Sequence, residues 1–118
     1  MSVLTAGILI IGDEILSGRT QDTNANFIAK SLVSAGIKLE EIRVIQDSKK
    51  IIIDSVRLFS KKYNYVFTTG GIGPTHDDIT SESLAEAFEK KYEINSEAFN
   101  ILKKYYPQGE FNLSRQRM

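Results

Sequence analysis

Apolar positions follow two different periods along the chain, and each change of period marks an element. Ala6-Gly7-Ile8-Leu9-Ile10-Ile11 is a continuous apolar run that ends at Gly12. It is too short for a helix and rich in β-branched residues, which predicts a strand buried on both faces. From Asp22 to Ala35 the spacing becomes helical: Ala25, Ile28, Ala29 and Leu32 share one face, and Gly36 follows as a suitable stop. Ile37 to Ile45 reads as a second strand, with Leu39, Ile42, Val44 and Ile45 as its apolar members and a charged, ambiguous first half. Asp47 or Ser48 is placed to cap a helix in which Ile52, Val56, Phe59 and Tyr63 recur at near-helical spacing. Tyr65-Val66-Phe67-Thr68-Thr69 is a third strand, and Gly70 to Pro74 is a turn by composition. Thr80 is placed to cap a helix carrying Leu84, Ala85 and Phe88. A last helix is predicted from Ser96 to Tyr106, with Ala98, Ile101, Leu102 and Tyr105 on one side and Pro107 and Gly109 ending it.

This β-α-β-α-β-α order implies parallel strands joined by right-handed crossovers, an α/β sheet covered by helices. A length of 118 residues fits one domain, residues 1–118, with enough surface buried for a core without staples. Three strands make a small parallel sheet, and Phe111 to Met118 end without a turn or closing element. The expectation is that a C-terminal piece of the domain is missing.

Composition removes several function classes. Fifteen basic and fifteen acidic side chains cancel, so no global field draws the chain onto nucleic acid or an acidic membrane. The absence of cysteine excludes disulfides, thiol nucleophiles and cysteine-zinc sites. No apolar run approaches the roughly 18 residues of a membrane span, and Met1 to Ile11 lacks the basic start of a signal peptide. A cytoplasmic globular domain is expected. The lysine pairs at 49–50, 61–62, 90–91 and 103–104 are spread out and read as solvated helix ends. The five tyrosines read as amphipathic core edges.

Candidate chemistry gathers where the strands end, the edge at which open α/β sheets bind ligands. The first strand runs into Gly12-Asp13-Glu14, the second into Asp47-Ser48, and the third into Thr68-Thr69-Gly70-Gly71-Ile72-Gly73-Pro74-Thr75-His76-Asp77-Asp78. Gly70, Gly71 and Gly73 let backbone N–H groups approach a ligand closely, and a helix begins near Thr80, which together suit an anion such as phosphate. An ordinary strand-to-helix turn needs only one or two glycines. The loop is neither a P-loop nor a dinucleotide fingerprint. Asp77 and Asp78 beside a phosphate would repel it unless a divalent cation lay between, as magnesium does with one or two carboxylates plus substrate phosphates. The competing role is complementing a helix dipole, which explains one aspartate more easily than both. Asp47 taken alone is a good helix cap. Asp13 and Glu14 follow a buried strand directly and are suited to a ligand hydroxyl or amino group. His76, the only histidine, reads as a solvated loop residue.

The run Thr69-Gly70-Gly71-Ile72-Gly73-Pro74-Thr75-His76-Asp77-Asp78-Ile79-Thr80 resembles the signature of the molybdopterin-binding domain shared by MoaB, MogA and CinA proteins. Ile10-Ile11-Gly12-Asp13-Glu14-Ile15-Leu16-Ser17-Gly18 with Asp22-Thr23-Asn24, and both acids of the third loop, are similar to the CinA amino-terminal branch in particular. The resemblance covers Ala6 to Phe88. It implies a doubly wound, mostly parallel sheet with helices on both faces, often oligomeric, binding a pterin phosphate or a nucleotide at the strand ends. In MogA-like enzymes two aspartates assist magnesium-dependent adenylylation of molybdopterin; by motif position they correspond to Asp47 and Asp78. In the CinA branch the domain is associated with metal-dependent hydrolysis of the ADP-ribose pyrophosphate, and a related domain is fused to eukaryotic FAD synthase. The family domain continues for several dozen residues through another strand and a Pro-Gly-x-Pro-type loop, and Leu113 to Met118 resembles the start of that part. The CinA carboxy-terminal amidohydrolase domain has no counterpart, so deamidation of nicotinamide mononucleotide is not assigned.

The expected function is therefore metal-dependent hydrolysis of a nucleotide pyrophosphate such as ADP-ribose. Gly70 to Gly73 would hold phosphate oxygens within a loop that includes Thr69, Thr75 and Thr80. Asp77 and Asp78 would hold magnesium or another divalent metal, Asp47 would bind a second metal or orient water, and Gly12, Asp13 and Glu14 would line the nucleoside side. The alternative is a non-catalytic module binding molybdopterin or a nucleotide, and a third reading is an inert oligomer subunit. No nucleic-acid or membrane partner is expected, and self-association is.

Overall fold

A computed structural model of the chain describes residues 3–93 and 96–105. The elements are β1 (Thr5–Ile11), α1 (Asp13–Leu16), α2 (Asn24–Ser34), β2 (Lys38–Ile45), α3 (Lys49–Lys62), β3 (Tyr65–Thr69), α4 (Thr80–Ala87) and α5 (Ser96–Tyr105). The predicted endings at Tyr106, Pro107 and Gly109, and the segment Leu113 to Met118, lie outside the described residues.

The three strands form one parallel sheet in the order β2-β1-β3. β1 is central, which explains its apolar run: Ala6, Ile8 and Ile10 are buried on one side, Leu9 and Ile11 on the other. Because β2 and β3 flank β1 on opposite sides, right-handed crossovers carry α2 and α3 to opposite faces of the sheet. The predicted doubly wound α/β arrangement is what forms.

α3 supplies the main core. Ile52, Val56, Phe59 and Tyr63 bury the predicted face against Leu9, Ile11 and Ile45. Each large side chain so buried contributes roughly 1.5–3 kcal/mol. Gly7 makes room for this contact, since a Cβ there would lie 2.7 Å from the rings of Phe59 and Tyr63. α2 stops as its sequence predicts. Gly36 takes φ 75°, and the N–H groups of Gly36 and Ile37 donate to Val33 and Leu32 carbonyls, closing a left-handed cap. α2 begins at Asn24 rather than at Asp22, whose carboxylate instead accepts the Ala25 N–H at 2.9 Å.

Three expectations change. The turn after β1 closes into the short helix α1, which four residues cannot announce by periodicity. In β2 the register shifts against Ala6/Gly7, and Ile42 is 48% exposed at the sheet edge. Ala98 and Ile101 of α5 are exposed, so that half of its predicted apolar side is not buried here; the side chains of Leu102 and Tyr105 lie outside the described residues.

The charged half of β2 has a structural use. Glu41 lies toward α3, where it accepts the Tyr63 hydroxyl at 2.5 Å and the Arg43 guanidinium at 2.6 Å, with Lys62 at 3.4 Å. The Tyr63 hydrogen bond, then Arg43, holds the Glu41 carboxyl at about 2 instead of 4.5. A carboxyl whose folded pKa is depressed stabilises the fold above its unfolded pKa and loses that contribution as pH falls through the folded value. Glu41→Gln is therefore expected to melt below the parent at pH 7, with the difference closing as the pH is lowered from 4.5 to 2 in paired thermal scans.

Candidate functional site: the carboxyl ends of β1, β2 and β3

In a 2-1-3 sheet the chain leaves β1 and β3 toward opposite faces, and open α/β sheets of this kind bind ligands in a crevice beyond the carboxyl ends of those strands. The glycines of the third loop stand at those strand ends. Gly70 takes φ 91°, and a Cβ on it would overlap the Ile11 carbonyl oxygen. No other residue type fits so close to the end of β1. Gly71 takes φ 66°, and a Cβ on it would overlap Thr80 Oγ1. Gly73 backs onto Asp78, whose Oδ2 would be 2.7 Å from an added Cβ.

Thr80 organises this loop from below. It is fully buried; its hydroxyl donates to the Gly70 carbonyl at 2.8 Å and its N–H to the Gly71 carbonyl at 3.1 Å. No peptide bond is cis among the described residues. In a planar trans peptide the N–H points opposite to the C=O. The N–H groups of Gly71 and Ile72 are thereby turned away from α4, the arrangement an anion cradle requires. Thr80 is the first residue of α4, not its cap, and Ile79 occupies the cap position.

The remaining loop residues brace one another. Thr75 donates to Asp78 Oδ2 from its N–H at 3.0 Å and its hydroxyl at 2.8 Å, and the Asp78 N–H returns a bond to the Thr75 carbonyl at 3.2 Å. Asp77 is 82% exposed with His76 Nε2 3.2 Å from its Oδ1. α4 starts two residues after Asp78, and the acid of its first turn is Glu82. Thr69 ends β3 opposite Ile10.

The first and second loops meet. The Gly12 N–H donates to the Ile45 carbonyl at 3.1 Å, extending the β1–β2 ladder by one residue. Asp13 Oδ1 then accepts the Asp47 N–H at 3.1 Å. Ser48, not Asp47, is the cap of α3, and no side chain caps that helix. The buried Asp47 Oδ1 has no hydrogen-bond partner. Glu14 folds back over Gly12, its Oε1 2.7 Å from where a Cβ would stand. Lys49, expected to be solvated, bridges to Glu86 at 2.8 Å and Glu82 at 3.5 Å, tying the start of α3 to α4.

Electrostatics joins the three loops. Burial raises the Asp47 pKa above 3.8, and the charges of Asp13, Glu14, Asp78 and Asp77 raise it further, in that order. Ionising Asp47 therefore costs folding free energy as the pH rises above its unfolded value, and the cost vanishes below it. Asp47→Asn is expected to raise Tm at pH 7, with the gain fading toward roughly pH 3; an unchanged Tm at pH 7 counts against this strained carboxylate.

Among the described residues no three His, Asp or Glu side chains converge tightly enough to cage a metal. What fits is a cation held by one or two carboxylates and completed by ligand phosphates. A cavity of about 290 Å³ lined by Val56, Tyr63, Val66, Leu84 and Phe88 lies between α3, β3 and α4 and holds none of these acids.

A family model described as "Probable molybdopterin binding domain" matches residues 7–116. The chain belongs to that molybdopterin-binding domain family. It is 44% identical over 103 residues to a "Probable FAD synthase" of Caenorhabditis elegans, covering 87% of this chain and 20% of that protein. To a CinA-like protein of Flavobacterium psychrophilum it is 47% identical over 92 residues, covering 78% of this chain and 22% of the relative. The crystal structure of the protein CinA from Thermoplasma acidophilum, described as of unknown function, superposes with TM-score 0.89 and 32% identity over 98% of this chain and 68% of that one. The chain thus spans about a fifth of these two curated relatives. Among its described residues no helix is long and apolar enough to cross a membrane.

Two arrangements escaped the sequence. The Asp13–Asp47 bond joins residues 34 positions apart and leaves no local trace. The Thr75–Asp78 brace does leave one, because a hydroxyl residue three before an acid is the spacing at which the acid's side chain reaches back to the N–H of the hydroxyl residue.

Proposed function

We propose that this domain binds the phosphate of a nucleotide or of a pterin such as molybdopterin in the crevice between β1 and β3. The observation that carries the reading is the pair of Gly70 and Gly71 carbonyls turned inward to Thr80, which leaves the following N–H groups to face an anion. Membership of a molybdopterin-binding family supports a small-molecule ligand. Asp77 and Asp78 are the residues to hold magnesium or a similar cation there, and the carboxylates converging electrostatically on Asp47 supply the reason for one: they repel a bare phosphate. Isothermal calorimetry with ADP-ribose, AMP and molybdopterin, each with and without magnesium, tests this. Saturable binding strengthened by the metal is the expected result, and no binding of any phosphate ligand overturns it.

A second reading, hydrolysis of the ADP-ribose pyrophosphate, rests on Asp47. Its carboxyl has an unpartnered buried oxygen and a raised pKa, the state of a group suited to orient water or hold a proton. A divalent cation, when bound, would polarise the phosphorus and stabilise the leaving phosphate. Release of AMP from ADP-ribose separates this reading from binding alone. Self-association belongs to the same proposal, and sedimentation with and without ligand measures it.

A further inference from the structure

We propose that Asp13 is a positioning residue, whose work is to hold the Asp47 loop through a hydrogen bond. This rests on the reading that Asp47 faces the bound ligand. Two acids 34 positions apart are brought together, and the bond between them runs from the Asp47 N–H to Asp13 Oδ1 at 3.1 Å. Its neighbour in space is the Gly12 N–H to Ile45 carbonyl bond, 3.1 Å long. Together they fasten the segment after β2 to the segment after β1 for two residues beyond the last paired strand positions, Ile11 and Ile45. Asp47 has no such anchor of its own: α3 has no side-chain cap, and Asp47 Oδ1 makes no hydrogen bond. The orientation of that carboxylate is accordingly set by its backbone, and its backbone is held by Asp13. The arrangement places like charges side by side, a cost a fold tolerates at a functional site. An asparagine at position 13 would make the same bond without the repulsion.

The experiment therefore compares Asp13→Asn with Asp13→Ala. Both lose the charge; only the alanine loses the acceptor. Affinity for ADP-ribose with magnesium is expected to fall about tenfold further in Asp13→Ala than in Asp13→Asn, and Asp13→Ala is expected to melt lower, because only there does the Asp47 N–H lose its acceptor. Hydrogen exchange read at the Asp47 amide by NMR supplies a measure that needs no ligand: protection is retained in Asp13→Asn and lost in Asp13→Ala. Equal affinities, or equal Asp47 protection, in the two variants overturn the positioning role. Should the parent bind no phosphate ligand, the proposed function fails, while the amide measurement still decides whether Asp13 holds the loop.

Discussion

Gly70→Ala is expected to lose several kcal/mol of stability and with it all measurable phosphate binding. Two costs combine at this position. A φ of 91° is foreign to L side chains, and forcing one there costs on the order of 1–3 kcal/mol. The added methyl would also overlap the Ile11 carbonyl oxygen, a clash with backbone in which neither side can rotate away. Opening that contact adds roughly 1–3 kcal/mol and parts the third loop from the end of β1. Gly18→Ala separates the two costs, because Gly18 has φ 78° but nothing within 4 Å of where an added Cβ would stand. Urea unfolding of both variants should show Gly18→Ala losing only the backbone cost. Equal losses would mean that the close approach of the third loop to β1 carries no weight.

The legible parts of this chain are those in which one residue type answers one local demand. β1 reads correctly because a central parallel strand needs apolar residues on both faces, and six of its seven positions are buried. α3 reads correctly because its whole apolar stripe faces the sheet. β2 is harder for a physical reason: an edge strand can leave Ile42 outside while Glu41 turns inward to Tyr63, so hydropathy and direction disagree. The glycine loop announces itself by composition, since a positive φ beside a neighbouring backbone leaves no alternative to glycine. What composition does not reveal is which side chains hold the loop and which face the ligand. Thr80 looks like a ligand contact in sequence but is fully buried with its hydroxyl engaged, and Thr75 spends its own donors on Asp78. The field around Asp47 is a property of three loops at once, and no window of sequence contains it.

On the proposed hydrolysis reading, Asp78→Asn is expected to lower AMP release from ADP-ribose by at least about 100-fold, the loss that follows removal of a group stabilising charge in a transition state. The substitution is informative because it isolates that charge. The asparagine keeps an oxygen to accept the Thr75 N–H and hydroxyl, now made at 3.0 and 2.8 Å, so the loop retains its brace. The like-charge pressure on Asp47 falls, so the variant should melt no lower than the parent at pH 7. Without metal, ADP-ribose should bind the variant as well as the parent or better, since one repelling carboxylate is gone; with magnesium the advantage should reverse. Asp77→Asn provides the contrast. Its carboxylate is 82% exposed and meets His76 at 3.2 Å, whereas Asp78 accepts the Thr75 N–H and hydroxyl, so a cation held mainly by Asp78 predicts a smaller effect there. Turnover unchanged in Asp78→Asn would remove this carboxylate from the chemistry. A binding module without hydrolysis would instead show the metal-dependent reversal of affinity in a parent that releases no AMP.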